Sequence, residues 1–295
     1  MEFGKVSNVD TIDWTLPADS KTTELFLRSQ VHTTKTIYYL GSPAWGVKTW
    51  SGTLYPPKTK AADYLYYYSR VFQSVELNTA HYRIPSAEQI EKWLAQIPIE
   101  FLFCSKVHQD ISHKRNGLKD KELINVWYQY LDNLGGHRGP CFLQLPPHFS
   151  YENKYELFQF LQQWPSDYEL AIEFRHPSWF TDRQILPALS DYLRSKKIGC
   201  VITDVAGRRD VLHTTITSSF SMVRFIGNDL HPSDTSRMHN WSIRLKKWSD
   251  LGLNRVFFFV HQPDDLLTPQ MTRIAIEHLN KNCGAELAPL TFFEN

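Results

Sequence analysis

Apolar residues in this chain come in short, evenly spaced runs. TIYYLGS (36–42), SVELN (74–78), FLFCSK (101–106), CFLQL (141–145), ELAIEF (169–174), IGCVITD (198–204), SMVRFIG (221–227) and RVFFFV (255–260) are each too short for a typical helix and rich in β-branched or aromatic residues. That combination predicts strands. Most of the intervals carry apolar positions three or four residues apart, at 61–72, 86–97, 123–134, 155–164, 185–195, 241–252 and 271–280, which predicts amphipathic helices. Ser86 with Gln89 three residues on fits a capping box, Thr268 before Pro269 fits a cap with proline in the first turn, and Pro187 fits only near a helix start.

Strand then helix, repeated at about 31 residues per unit, is the sequence form of parallel βαβ units. The expected fold is α/β, a TIM-type (β/α)8-like barrel of parallel strands. One helix is short or missing between strands 6 and 7 of the eight, where AGRRDVLHTTITSSF (205–219) lacks helical spacing. A doubly wound open sheet competes, but no GxGxxG or GxxxxGK[ST] opens a helix here. Residues 1–35 are polar and aperiodic and read as an N-terminal extension packed on the barrel or loosely attached to it. Residues 36–295 read as a single TIM-like barrel domain.

Composition changes this picture little. The 295 residues are 42% hydrophobic and 21% charged, ordinary for a folded chain, and the formal net charge of +1 provides no global attraction to nucleic acid or anionic lipid. Cys104, Cys141, Cys200 and Cys283 form no CxxC, so neither a disulfide framework nor a thiolate zinc site is suggested. There is no apolar stretch of signal-peptide or membrane-span length, so the expectation is a cytoplasmic protein without a membrane partner.

The chemistry is concentrated at the carboxyl ends of the runs, where a parallel barrel gathers its reacting groups. There stand Ser42 with Trp45; Glu76 and Asn78, then Tyr82 and Arg83; Lys106, then His108 and His113; Gln144; Glu173 and Arg175, then His176 and Trp179; Asp204; Arg224; and His261 with Gln262. Side chains alternate along a strand, so if Val75, Leu77, Ile172 and Phe174 face outer helices, Glu76 and Glu173 point inward. A Glu173–Arg175 pair alone would be an ordinary ion pair at a strand end. Several ionisable ends converging need partners, water or a ligand, because an unpaired buried charge costs several kcal/mol.

VELN (75–78) with YR (82–83), Lys106 with His113, FLQLPP (142–147), EFRHPSW (173–179), TD (203–204) and VRFIG (223–227) together resemble the YecE-like family, labelled a domain of unknown function, number 72. The resemblance runs over roughly residues 36 to 280 and implies a TIM-like barrel without implying a reaction. It singles out Trp45, Glu76, Asn78, Tyr82, Arg83, Lys106, His113, Gln144, Pro146, Glu173, Arg175, His176, Trp179, Asp204 and Arg224. Two places depart from the family pattern: GSPAW (41–45), with Pro43 and Ala44 in the first turn, and His261 with Gln262 after the last strand.

The expected function is acid/base chemistry of hydrolase, lyase or isomerase type on a small anionic, phosphorylated or sugar-like substrate. Glu173 is expected as general acid or base, Lys106 as the stabiliser of developing negative charge, Glu76 as second carboxylate and Asp204 as a further catalytic acid. Arg175 and Arg224 would grip an anion, Gln144, Asn78 and Tyr82 would read hydroxyls, Arg83, His113 and His176 would complete the contacts, and Trp45 and Trp179 would be flat walls. No cofactor is expected. Three alternatives stay open: a divalent metal held by Glu76, Glu173, Asp204 and His261, a protein binding nucleic-acid ends or lesions, and a non-catalytic barrel binding a small ligand.

Overall fold

The computed structural model describes residues 4–31 and 35–293. Its strands are β1 (Ile37–Gly41), β2 (Ser74–Leu77), β3 (Leu102–Ser105), β4 (Cys141–Gln144), β5 (Leu170–Glu173), β6 (Phe180–Thr181), β7 (Gln184–Ile185), β8 (Gly199–Asp204), β9 (Phe220–Ile226) and β10 (Arg255–His261). All but β6 and β7 coincide with the predicted runs, starting within one residue of the expected position. The helices are α1 (Lys21–Arg28), α2 (Tyr64–Val71), α3 (Thr79–Tyr82), α4 (Ala87–Leu94), α5 (Gln109–Ser112), α6 (Lys121–Asn133), α7 (Lys154–Gln163), α8 (Pro187–Ser195), α9 (Pro232–Leu251) and α10 (Thr268–Cys283). No helix of the described residues is long and apolar enough to cross a membrane.

The fold is α/β with a mostly parallel central sheet in the order β1-β10-β9-β8-β5-β4; β2 and β3 form a separate parallel pair, and β6 and β7 a small antiparallel hairpin. One closed eight-stranded ladder, as the sequence suggested, is not formed among the described residues. The ladder breaks at both places where neighbouring runs would have joined it, and backbone bonds cross both breaks. Leu40 O accepts from Gln73 N at 3.1 Å and Ser42 O from Glu76 N at 3.1 Å, while Phe103 O accepts from Gly139 N at 3.0 Å and Phe142 O from Val107 N at 2.9 Å. At each break the register slips by one residue, as a bulge requires. Gly41 lies at the first break, where a Cβ would meet Ser74 O at 2.5 Å.

Alternation along the strands separates two apolar layers. Cys104, Phe142, Ala171, Val201, Met222, Phe257 and Phe259 pack together on one face, while Val75, Phe103, Leu143, Ile172, Ile202, Val223 and Phe258 join the helices on the other. Position by position this is the period of two that pleated strands impose.

Local signals fared unevenly. Ser86 caps α4 by accepting from Gln89 N at 3.3 Å, and α8 begins at Pro187 as the proline demands. Thr268 is not the cap of α10: Leu267 holds that position, and Thr268 is already helical. Helix α9 starts nine residues before the predicted 241 because its first half buries Ser233, Asp234 and Arg237, polar groups that hide an apolar rhythm.

The crossover between β8 and β9 contains only a short 3-10 turn, Ala206–Arg208. The N-terminal segment covers it. Thr23 Oγ1 of α1 accepts from Ile216 N at 3.4 Å, Ala18 O accepts from Thr214 Oγ1 at 3.1 Å, and the Phe26 ring lies 5.3 Å from the Arg194 guanidinium of α8. Buried Asp19 receives Arg244, at 2.8 Å, and Lys247, at 2.8 Å, both from α9. Gly4 O accepts from Gly207 N at 2.9 Å and Asp10 lies 3.1 Å from His231, so the extension contacts the body from residue 4 to residue 27; its residues 1–3 and 32–34 lie outside the described residues. Leu27 is fully buried in the main core. Replacing it with alanine is expected to cost about 2–5 kcal/mol and to lower the melting temperature by roughly 3–8 °C. Calorimetry checks this, and an unchanged midpoint would place α1 outside the cooperative unit.

Candidate functional site

The charged ends of four strands meet above the inner layer. In pleat order Phe142 is followed by Gln144, Ala171 by Glu173, Val201 by Thr203, Met222 by Arg224 and Phe259 by His261, so each polar group shares the face of the apolar residue two positions earlier. Arg224 is the hub. Its Nε and one terminal nitrogen donate to the two oxygens of Glu76 at 2.8 and 2.8 Å, and its other terminal nitrogen donates to Glu173 Oε2 at 3.1 Å. Glu173 also accepts from Arg175 Nε at 2.7 Å and Gln144 Nε2 at 2.8 Å. Glu76 also accepts from Asn78 Nδ2 at 2.9 Å, and His261 Nε2 lies 3.0 Å from its second oxygen. Glu76, Glu173, Arg224, Arg175, Gln144 and His261 are all buried.

Pairing decides the protonation of these acids. Burial opposes ionisation of Glu76, but Arg224 and then His261 outweigh it and hold the carboxyl well below the usual range. Glu173 is likewise opposed by burial and brought down to about 2 by Arg175 and Arg224. At neutral pH both are saturated anions that position guanidinium groups. The expected role of Glu173 as general acid or base is corrected on that ground.

Lys106 follows β3 at the same level, bridged through its backbone to Phe142. It is 8% exposed, and among the described residues no acceptor lies within bonding distance of its ammonium. Every carboxylate oxygen nearby is already occupied. Burial, then the charges of Arg224 and Arg175, bring Lys106 down to about 8, against a smaller opposing effect of Glu173 and Glu76. Beside it, buried His81 on α3 places Nδ1 2.6 Å from Val107 O. A carbonyl only accepts, so Nδ1 carries the proton and Nε2 keeps its lone pair. Burial and the Lys106 charge lower His81 to about 3. His113, exposed as a residue but with its ring 5.2 Å from that of His81, is lowered to about 4 by desolvation and by Lys106 and Arg175.

Several expected members stand elsewhere. Asp204 follows inward-facing Thr203 and points to the opposite face, where it pairs with Arg209, accepts from Trp241 Nε1 at 2.7 Å and lies 3.0 Å from Arg237; it is a structural anion and not a catalytic acid. Trp179 is fully buried, donates to Phe149 O at 2.7 Å and stacks on Phe149, so it is core and not a wall of the site. Trp45 packs edge-on against Trp93 and Phe103 on the outer layer. His176 caps the short turn Pro177–Trp179 by accepting from Ser178 N at 3.2 Å. Tyr82 and Arg83 are exposed at the rim. The metal set of Glu76, Glu173, Asp204 and His261 does not converge, because Arg224 sits between the two glutamates and Asp204 faces away. Among the described residues no three His, Cys, Asp or Glu side chains gather as metal ligands.

Two members were missed. His81 follows its strand by four residues, on a helical turn with no predicted periodicity. Thr203 could have been found from alternation alone: it is buried, lies in register with Arg224, and its hydroxyl has no partner. Beside His261 opens a cleft of about 840 Å³ lined by Asn8, Asp10, Pro43, His231 and Asp265 among others, so the N-terminal segment forms part of its wall.

The family model described as "Protein of unknown function DUF72" matches residues 39–290. UPF0759 protein YecE of Escherichia coli K12 is 26% identical over 261 residues, 82% of this chain and 93% of that protein. UPF0759 protein YunF of Bacillus subtilis is 29% identical over 154 residues, 48% of this chain and 52% of that protein. Among solved structures, a DUF72 family protein of Enterococcus faecalis superposes with a TM-score of 0.69 at 19% identity, covering 86% of this chain and 98% of that one. One of Thermotoga maritima gives 0.60 at 20%, covering 83% and 98%.

Opposite stability effects are expected for two substitutions. Glu173→Gln removes the carboxylate that Arg175 and Arg224 share and should cost about 3–5 kcal/mol at pH 7. Because the folded pKa of Glu173 is depressed, its contribution is present above about pH 4.3 and is lost as pH falls toward 2. The gap between wild type and variant in urea unfolding should therefore narrow as pH falls below about 4.3. Lys106→Met should instead stabilise by about 1–3 kcal/mol at pH 7, since the buried ammonium is a penalty relieved only as pH rises from about 8 toward 10.5. A destabilised Lys106→Met would mean the ammonium has a strong partner.

Proposed function

Since the chain belongs to the DUF72 family of proteins of unknown function, we propose a role from the site itself: an enzyme acting on a small anionic substrate at the carboxyl ends of the strands. The observation that carries this reading is the lone ammonium of Lys106. Glu76 and Glu173 pair with Arg224 and Arg175, whereas among the described residues no carboxylate lies within bonding distance of the Lys106 ammonium. A carboxylate or phosphate of a substrate supplies the missing charge, and the unpaired hydroxyl of Thr203 supplies a further contact.

In this reading the acids hold and the bases work. Glu76 and Glu173 keep the guanidiniums oriented, while Lys106, brought to about 8, is the group poised for acid/base work near neutral pH and His81, held neutral, offers the lone pair of Nε2 as a hydrogen-bond acceptor. Hydrolase, lyase and isomerase chemistry all fit such a pair. We read the two parallel sheets as arcs of one (β/α)8-type barrel spanning residues 36–295, with the ladder interrupted by the two bulges. The backbone bonds across both breaks support this, as does the meeting of β2, β5 and β9 side chains on one guanidinium. The nucleic-acid alternative loses its support with the burial of Trp179, since stacking on bases needs open rings.

A thermal-shift series with inorganic phosphate, sugar phosphates and sugar acids tests the proposal. A ligand at one hundred times its Kd adds about 2.7 kcal/mol, a rise of roughly 4–5 °C for a chain this long. The rise should disappear in Lys106→Met. No response to any anion, or an equal response in the variant, would remove the anion-binding reading.

A further inference from the structure

We propose that Glu76 and His261 form a carboxylate–imidazole dyad that exchanges a proton, through Nδ1 of His261, with a hydroxyl-bearing ligand of neutral or positive charge in the cleft at the carboxyl ends of β8, β9 and β10. The inference goes beyond the reading above and does not rest on Lys106, which is not among the residues lining that cleft. Three observations meet in His261. It closes β10 and is only 5% exposed, yet it lines the cleft of about 840 Å³. Its Nε2 lies 3.0 Å from Glu76 Oε2. Glu76 is an anion already held by two nitrogens of Arg224, and a carboxylate only accepts, so Nε2 carries a proton. Nδ1 is left with no hydrogen-bond partner among the described residues. One nitrogen of the buried ring is thus committed to the network, and the other is available to whatever occupies the cleft.

The ring is fixed from both ends. Gly227 N donates to His261 O at 2.8 Å, and the next side chain, Gln262, is clamped between Asp229 N and Asp234. At the far end Arg224 immobilises Glu76. A buried carboxylate that sets the tautomer of an imidazole, leaving the second nitrogen free, is the arrangement that orients a general base. In the transfer a ligand hydroxyl gives its proton to Nδ1, the ring becomes an imidazolium, and Glu76 stabilises the new positive charge. Return of the proton restores the neutral ring.

The walls define the ligand. Glu76 of β2 and Arg224 of β9 meet the ring from the interior. The cleft itself is shared with Asp264 and Asp265 of the turn after β10, Asp229 and His231 of the loop after β9, and Lys5 and Asp10 of the N-terminal segment. Asp10 lies 3.1 Å from His231. The carboxylates of Asp229, Asp264 and Asp265 have no side-chain partner among the described residues and outnumber Lys5, so an anion is disfavoured and a hydroxylated amine such as an amino sugar fits. Residues 4–10 precede the part of the chain matched by the family model, so this wall is an addition to it.

The full chain, labelled with nitrogen-15 in its histidines, tests this. Long-range proton–nitrogen correlation spectra from about pH 5 to about pH 9 read each ring nitrogen separately, and His261→Gln assigns the His261 signals. The expected result is a neutral ring protonated at Nε2 that takes its second proton at Nδ1 within this range. Diethyl pyrocarbonate, which acylates an accessible unprotonated imidazole nitrogen, gives a second measurement by peptide mapping that needs no variant. It should label His261 at least tenfold faster than buried His213, whose nitrogens are engaged by Val201 O and Thr215 N. Glucosamine should slow that labelling more than glucose 6-phosphate does. A neutral ring with its proton on Nδ1, a ring that does not titrate, or labelling no faster than that of His213 overturns the dyad. Equal or greater protection by the phosphate, or protection by neither sugar, overturns the ligand class.

Discussion

One guanidinium holds the centre of this molecule. Arg224 on β9 bonds to Glu76 on β2 and to Glu173 on β5, strands that are not ladder neighbours of β9 or of each other. Each of these groups is essentially sealed from water, where a charge without a partner costs several kcal/mol. The three strands must therefore present their ends within one guanidinium's reach. Curvature of the sheets, the position of the inner apolar layer and the geometry of the site all follow from meeting that condition.

Saturation of the acids then determines which groups remain reactive. All four carboxylate oxygens of Glu76 and Glu173 are engaged, leaving Lys106 as a cation that the site does not neutralise. The fold tolerates this penalty next to carboxylates that are each held by a guanidinium. A local loss of stability confined to a single amine at a strand end is the usual mark of a group kept for a ligand or a reaction. The same principle, applied on the outer face, gives the opposite outcome: Asp204 meets Arg209, Arg237 and Trp241, and Trp14 of the N-terminal segment lies 4.3 Å over Arg237. There the carboxylate of Asp204 is held from several sides, although Arg209 keeps two buried nitrogens without an acceptor among the described residues, and that cluster fastens α9 and the extension to β8.

Much of this was legible in the order of residues. The eight parallel strands were found to within one residue at their starts, because Val, Ile and aromatic runs bounded by polar segments have no other stable use in a soluble α/β chain. The pleat period pointed Glu76 and Glu173 inward, Gln144 and Arg224 were singled out only as polar strand ends, and alternation applied from Val201 onward would have separated Asp204 from them. The early part of α9 was not legible because its buried face is polar. Helix α1 was not legible because eight residues of mixed character become a helix only when a neighbouring crossover leaves a place for them to pack. Trp179 misled for a similar reason: an indole near a strand end reads equally well as wall or core until Phe149 and Tyr151 are known to enclose it.

What the sequence alone determined was one-dimensional: the succession of strand and helix, the face on which each side chain falls, and which ionisable groups close each strand. Those depend on periodicity and local sterics, which a chain carries with it into any fold. Tertiary structure decided who pairs with whom, since a hydrogen bond between Glu76 and Arg224 spans 148 positions and depends on angstrom-scale placement. It thereby decided that Glu173 is a holder of guanidinium groups, that Asp204 belongs to the outer layer, and that among the described residues no carboxylate comes within bonding distance of Lys106.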